Sequence, residues 1–492
     1  MSNFSISSTK EPYRLDRVLM RFSEKNEDAW LLRDAVRGTQ VFGGIGSGKT
    51  SGSGRGIATA FLKNGFGGLV LCAKPGEAED WANYAQECNR SGDLIIFREG
   101  SQWQFNPLSY ETTRSGRGAG QTFNLTELFM SVFKMGQRLS GSSSEEKERF
   151  WENSLKRCIN RVIDLLKLAD EELSIWNMTE VLSLAVQGVS KVEDARDDDH
   201  VLEMAKEDFF IKCIFAANER VETKEQARDF KLVKDYFFKY FPNLDEKVRS
   251  TVQEMFLGFC EPFLTGILND HFAQGTNLTP EVSFEGKIIV LDFAVKEYLV
   301  AGIYAQCLFK LLWQQAVERR RVDDYTRPVF LWVDESQYFI NEYDTIFQTT
   351  ARSSRACTVF LTQNISNYYA QMGGKEAEPK VDSLLGNLAT KIFHGNNDAV
   401  TNEWASRVIG QNVIPMEGGS YQTSPFNLNI SKGESFTMQL MPQVLPVEFI
   451  TLKGGGEEAD YEVQGIITLS GRKWSNDKNY RRIAFKQNPR KW

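Results

Sequence analysis

Eight consecutive residues constrain this chain more than any others: Gly43, Gly44, Ile45, Gly46, Ser47, Gly48, Lys49 and Thr50, a match to G-x-x-x-x-G-K-[ST]. The spacing has a physical origin. Glycines let backbone N–H groups turn inward around phosphate oxygens, where a Cβ would obstruct them. A short apolar strand precedes the run, and Ile57, Ala58, Ala60, Phe61 and Leu62 continue it as a helix. The loop therefore opens a helix whose N-terminal dipole favours an anion. In that reading Gly43, Gly44, Gly46, Ser47 and Gly48 surround the phosphates of ATP. Lys49 reaches the β- and γ-phosphates, and the Thr50 hydroxyl ligates Mg2+. The alternative is a glycine-rich loop that holds no nucleotide.

A strand–loop–helix start predicts an α/β fold, and the remaining pattern agrees. Compact apolar runs at 67–73, 93–98, 287–293, 329–333, 358–362 and 389–394 read as strands buried on both faces. Helical stretches at 300–320 and around 346–354 alternate with them. The expected architecture is a P-loop NTPase of RecA-like type, a mostly parallel sheet with helices on both faces. The prolyl residue in Phe105-Asn106-Pro107-Leu108 is expected to end regular structure. Residues 121–280 change period: Phe150, Trp151, Leu155, Ile159, Val162, Ile163 and Leu166 recur at helical spacing. That stretch reads as an all-helical insert, with an exposed loop at 140–146. The expected division is an N-terminal arm (1–30), a first part of the nucleotide-binding domain (31–120), the insert (121–280), a second part (281–470) and a basic C-terminal tail (471–492).

Far downstream, Val329-Phe330-Leu331-Trp332-Val333 runs into Asp334 and Glu335. Two adjacent carboxylates at the end of a buried strand are costly unless a metal or a water needs them. Asp334 is expected to serve the metal together with Thr50, and Glu335 to polarise the attacking water. The plain alternative is a surface turn. Thr362-Gln363-Asn364 ends the next strand, which makes Gln363 the candidate γ-phosphate sensor; a turn cap is the rival account. Arg352 and Arg355 lie just before that strand, and either could be an arginine finger acting on a neighbouring subunit. An ordinary subunit salt bridge would explain them equally. No Asn-Lys-x-Asp run that would select guanine is present.

Charge and cysteine content narrow the setting. The net charge of −7 argues against a protein that coats nucleic acid with its whole surface. The segment 471–492 runs the other way, with eight basic residues, one acid and four interleaved aromatics. It is either a solvated end or a grip for a phosphate backbone, an anionic membrane or an acidic partner. Seven scattered cysteines without Cys-x-x-Cys suggest reduced thiols rather than zinc or disulfides. Residues 1–10 carry no apolar signal segment, and no apolar stretch reaches membrane-spanning length.

Several pieces stand in a telling order: the P-loop, Lys74-Pro75-Gly76-Glu77, Phe105-Asn106-Pro107-Leu108, the helical stretch, Asp334-Glu335, Thr362-Gln363-Asn364, and Phe449-Ile450-Thr451-Leu452 followed by Gly454-Gly455-Gly456. This series resembles the type IV secretion coupling proteins, the conjugative DNA-transfer ATPases of the HerA–FtsK superfamily. The resemblance implies an ATP- and Mg2+-dependent, DNA-translocating homo-hexamer that works with relaxosome or secretion-channel proteins. It implies the same roles for Gly48, Lys49, Thr50, Asp334, Glu335, Gln363 and Arg352 or Arg355, and a helical insert that reads DNA or relaxosome proteins. Most members of that family carry N-terminal transmembrane helices, whereas this chain opens on a polar arm. The expected location is thus cytoplasmic, or peripheral at the inner face of the cytoplasmic membrane through a partner. Two rival functions are a HerA-like soluble DNA translocase in repair or phage defence and an ATP-gated recruitment platform for protein effectors.

Overall fold

The computed structural model describes residues 12–139, 145–373, 376–422 and 431–487. Among these, thirteen strands occur: β1 (Val18–Arg21), β2 (Ala29–Leu31), β3 (Thr39–Phe42), β4 (Gly67–Leu71), β5 (Leu94–Arg98), β6 (Ile288–Asp292), β7 (Val329–Val333), β8 (Ala356–Thr362), β9 (Thr390–Phe393), β10 (Gln411–Gln422), β11 (Ser431–Pro442), β12 (Glu462–Leu469) and β13 (Tyr480–Lys486). The chain divides into two compact units. One holds residues 1–68, 82–92 and 321–492; the other holds 69–81 and 93–320.

In the first unit, six strands form the order β13-β12-β9-β3-β8-β7. The four strands β9, β3, β8 and β7 pair in parallel. Their side chains are buried on both faces, as uninterrupted runs such as VFLWV require. Register then sets chemistry: Phe42, the last residue before the P-loop, pairs with Thr362 on one side and Phe393 on the other. The edge beyond β9 is antiparallel, through β12 and then β13. The alternation of buried strands with helices in the sequence did not reveal these two strands, nor the antiparallel hairpin β10–β11.

Both expected termini of this unit are more ordered than an arm and a tail. Strands β1 and β2 pair as a hairpin inside the segment expected as an arm. Trp30 is buried, stacks 6.0 Å from Phe61 and donates to Thr390 Oγ1 at 3.2 Å. The basic segment from 471 is folded through Gln487. Arg472 donates to Asp34 at 2.7 Å, Arg481 pairs with Asp28 at 2.8 Å, and Trp474 is buried. Its charges are therefore partly spent on internal carboxylates, which corrects the picture of a tail free to grip a surface; residues 488–492 lie outside the described residues.

Burial works against the charge on Asp28, yet hydrogen bonds from Ser23 and Ser475 and the Arg481 charge outweigh it, so its carboxyl stays below the ordinary value. A carboxyl held low in the folded state adds stability above the unfolded carboxylate range, and that stability is lost as pH falls through the folded value. We expect Asp28→Asn to destabilise the protein by on the order of 2–3 kcal/mol at neutral pH, because Arg481 loses its partner. Melting curves from pH 7 down to acid should show the gap to wild type closing. A gap independent of pH would refute this role.

In the second unit, β4, β6 and β5 are neighbours in that order, and β5 and β6 pair in parallel. From Thr122 to Phe272 every described element is a helix, among them Glu145–Ala169, Ile175–Glu193 and Glu246–Leu264. Leu155, Ile159, Val162, Ile163 and Leu166 face its core, whereas Phe150, at the start of the pattern, is exposed. The loop expected at 140–146 falls mostly outside the described residues. Pro107 begins a helix (Pro107–Thr113) rather than ending structure, because its missing N–H is one the first turn leaves free. Asn106 caps that helix, accepting from the N–H groups of Leu108 and Ser109. Its own amide donates to the Ala273 carbonyl at 3.1 Å, and Phe105 N–H donates to His271 O at 2.8 Å. The Phe-Asn-Pro-Leu motif thus clasps the two ends of the helical stretch. The helix expected at 300–320 starts at Val295, with a break at Leu299 (φ 49°).

Candidate functional site

The candidate site lies wholly in the first unit, at the carboxyl ends of its parallel strands. This is where open α/β sheets place their ligands. The P-loop leaves β3 at Gly43, whose N–H donates to Thr362 O at 3.3 Å, and Gly44 N–H donates to Gly395 O at 2.9 Å. Gly46 and Gly48 hold φ of +73° and +76°, values that L side chains rarely adopt. Close packing adds a second reason for glycine. A Cβ on Gly48 would stand 2.5 Å from Val463 Cγ2, and one on Gly454 would stand 2.6 Å from Gly46 O. Gly454, the first of the three glycines at 454–456, is therefore the backbone surface on which the P-loop rests. After Lys49 the chain does not enter an α-helix at once. Residues Thr50–Gly54 form a wider turn, with Gly54 N–H donating to Lys49 O, and the α-helix follows as Arg55–Lys63.

Two carboxylates meet this loop from almost three hundred residues away. Thr50 Oγ1 donates to Asp334 Oδ2 at 2.7 Å. Lys49 Nζ stands 3.6 Å from Glu335 Oε1, and both side chains are almost fully buried. Glu335 itself holds a left-handed backbone (φ 45°), pinned by its N–H donating to Asp334 Oδ1 at 2.8 Å. Non-glycine residues held this way concentrate at functional sites. Gln363, at the end of β8, approaches both Glu335 oxygens at 3.4 Å. The structure thus brings together Lys49, Thr50, Asp334, Glu335 and Gln363.

The two arginines part company. Both precede β8, whose seven residues span about 23 Å at ~3.3 Å each, so they sit at the opposite end of that strand from Gln363. Arg355 is buried; its guanidinium donates to the Tyr13 carbonyl and to Asp324 at 3.3 Å. An arginine so engaged inside its own subunit is not poised to reach a neighbour. Arg352 is exposed at the end of the helix Glu342–Ala351.

Residue patterns alone did not single out four further residues here. His394 is fully buried, with Nδ1 donating to Gln464 O and Nε2 accepting from Ser53 Oγ, each at 2.7 Å. Burial pushes its pKa down to about 4, so the ring is neutral at physiological pH and ties β12 to the P-loop turn. Asn396 donates to Gln363 O at 2.8 Å, and Gln337 donates to Glu335 Oε2 at 2.9 Å. A lone His, Asn, Gln or Ser carries no spacing signature, so only the fold reveals them.

The residues present fit a nucleoside triphosphate with Mg2+. Ser47 Oγ is buried and has no hydrogen-bond partner among the described residues, as expected of a hydroxyl meant for a ligand. The glycine cradle, the buried ammonium of Lys49 and the hydroxyl–carboxylate pair Thr50–Asp334 supply anion donors beside hard oxygen ligands.

Comparison with known proteins adds to this geometry. A family model described as the TraM recognition site of TraD and TraG matches residues 328–447. The sequence finds no match among curated proteins. The bacterial conjugative coupling protein TrwBdeltaN70, in its unbound form, aligns with 96% of this chain and 88% of its own at 13% identity and a TM-score of 0.58. TrwB in complex with the non-hydrolysable analogue GDPNP aligns with 96% of this chain and 90% of its own at 11% identity and a TM-score of 0.60. TrwB in complex with ADP and Mg2+ aligns with 95% of this chain and 90% of its own at 11% identity and a TM-score of 0.57. At such identities the likeness is one of fold. This chain is similar to the coupling proteins of bacterial conjugation, in fold along nearly its whole length and in sequence over residues 328–447.

Proposed function

We propose that the protein is an ATP-hydrolysing motor of a conjugation or type IV secretion system, which recruits and moves a DNA or nucleoprotein substrate. The observation that carries this reading is the convergence of Lys49, Thr50, Asp334 and Glu335 within hydrogen-bond or ion-pair reach, on a fold shared with a coupling protein solved with nucleotides. The phosphates lie in the Gly43–Gly48 cradle, with Lys49 releasing Glu335 to meet the γ-phosphate. Mg2+, held through Thr50 and Asp334, neutralises phosphate charge when bound. Glu335 then orients and polarises the attacking water, and Gln363 senses the γ-phosphate from the neighbouring strand.

Arg352, exposed and remote from its own P-loop, is the finger offered to a neighbour. This requires a ring, taken here as a homo-hexamer. The segment 328–447, which includes the hairpin β10–β11, is the docking region for a relaxosome protein, in line with the family model it matches. The reading places the protein at the cytoplasmic face of the membrane through a partner; no helix of the described residues is long and apolar enough to cross a membrane. The deciding measurement is ATP turnover with and without single- and double-stranded DNA, alongside mass in solution. DNA-stimulated turnover in a ring is the expected result. Stimulation only by a protein cargo would replace the motor with a recruitment platform, and no turnover under any condition would end the proposal.

A further inference from the structure

The Glu335 carboxylate takes its direction from side-chain contacts rather than from its backbone alone. Glu335 has a left-handed backbone, which by itself leaves the side chain's direction open. Two neutral amides reach it unequally: Gln337 Nε2 at 2.9 Å to Oε2, and Gln363 Nε2 at 3.4 Å to each oxygen. By distance, the first is a well-formed hydrogen bond and the second a weak one.

Gln337 is itself fixed. It is buried, and its Oε1 accepts from Thr362 Oγ1 at 2.8 Å. A carboxylate on one side can only accept, so the amide must present its NH2 there and its oxygen to the threonine hydroxyl. Turned over, the amide oxygen would face a carboxylate oxygen with no proton between them. Thr362 occupies the last position of β8, pairs with Phe42 immediately before the P-loop, and directly precedes Gln363. A chain of two hydrogen bonds therefore runs from the strand that carries the sensor to the acid that aims the water.

We propose that Gln337 is a positioning residue for hydrolysis: anchored by Thr362, it sets the direction of the Glu335 carboxylate and links that direction to the position of β8. The proposal rests on the ATPase reading above and goes beyond it, because it assigns work to two residues to which that reading gives no role. Through Thr362 the position of the end of β8 fixes that of Gln337, and through Gln337 that of the acid. The longer Gln363 contact holds the carboxylate less, which leaves Gln363 able to meet the γ-phosphate.

The test is steady-state ATP hydrolysis by the full chain, with nucleotide affinity measured separately by a fluorescent ADP analogue. Misaiming a reacting group by about an ångström costs on the order of tenfold to a hundredfold in rate. Gln337→Leu should therefore lower kcat by about that factor while KM and ADP affinity stay within about twofold. Thr362→Val, nearly isosteric, should do the same, and Thr362→Ser, which keeps the hydroxyl, should recover most of the rate. Because both act through one bond chain, the double variant should be no slower than the slower single variant.

A kcat within twofold of wild type for Thr362→Val, or losses that multiply in the double variant, would overturn the proposal. Should Gln337→Leu fail to fold, the two Thr362 variants decide alone. Failure of the ATPase reading looks different: wild type without turnover, or Glu335→Gln with normal turnover, removes the reaction itself.

Discussion

Glu335→Gln should bind ATP and fail to cleave it, with kcat reduced by at least about a thousandfold, the scale of losing a principal catalytic group. The substitution is nearly isosteric. It removes the charge that faces Lys49 at 3.6 Å and the acceptor that polarises water, while Gln337 and Thr362 stay in place. The fold should survive, with some loss of stability in the absence of nucleotide because the buried Lys49 ammonium loses a charged neighbour. Lys49→Ala should differ in kind. It deletes a buried ammonium from the phosphate cradle, so affinity and turnover fall together. Single-turnover hydrolysis and equilibrium ATP binding separate the two variants. Undiminished turnover in both would show that the cleft is not where chemistry occurs.

Arg352→Ala should abolish turnover and leave nucleotide binding intact, an effect of about a thousandfold or more where an arginine finger acts. The structure makes a sharper forecast than the motif did, because it separates the two arginines. Arg355→Ala removes an internal anchor to Tyr13 and Asp324, so its effect should appear as lost thermal stability at the amino end of β8. Arg352 has the exposure that a residue serving another subunit needs. Mixing Arg352→Ala with Lys49→Ala protein should restore part of the activity, since a mixed ring contains sites with an intact cradle facing an intact finger. Absence of rescue at every mixing ratio would rule out action across an interface.

Much of the site was legible because its chemistry imposes spacing. A phosphate cradle needs its glycines, lysine and threonine within eight residues, and a buried strand needs an unbroken apolar run before Asp334 and Glu335. The helical stretch announced itself by its period for the same reason. Other features left no such trace. Strands β12 and β13 sit at an antiparallel edge, and the basic residues of β13 and of the turn before it read as a tail until Asp34 and Asp28 appeared beside Arg472 and Arg481. Phe150 continued a helical pattern beyond the part of the helix that has a core to face.

By itself, then, the sequence determined the fold class and pointed to a candidate phosphate loop and to the two acids that the structure brings beside it, because these depend on residue types at short range. Only the tertiary structure decided which arginine is exposed, that His394 and Gln337 bond to residues of the candidate site, and that Gly454 lies under the P-loop. Those facts depend on which distant segments register side by side, and pairing across hundreds of residues is fixed by packing rather than by any local pattern.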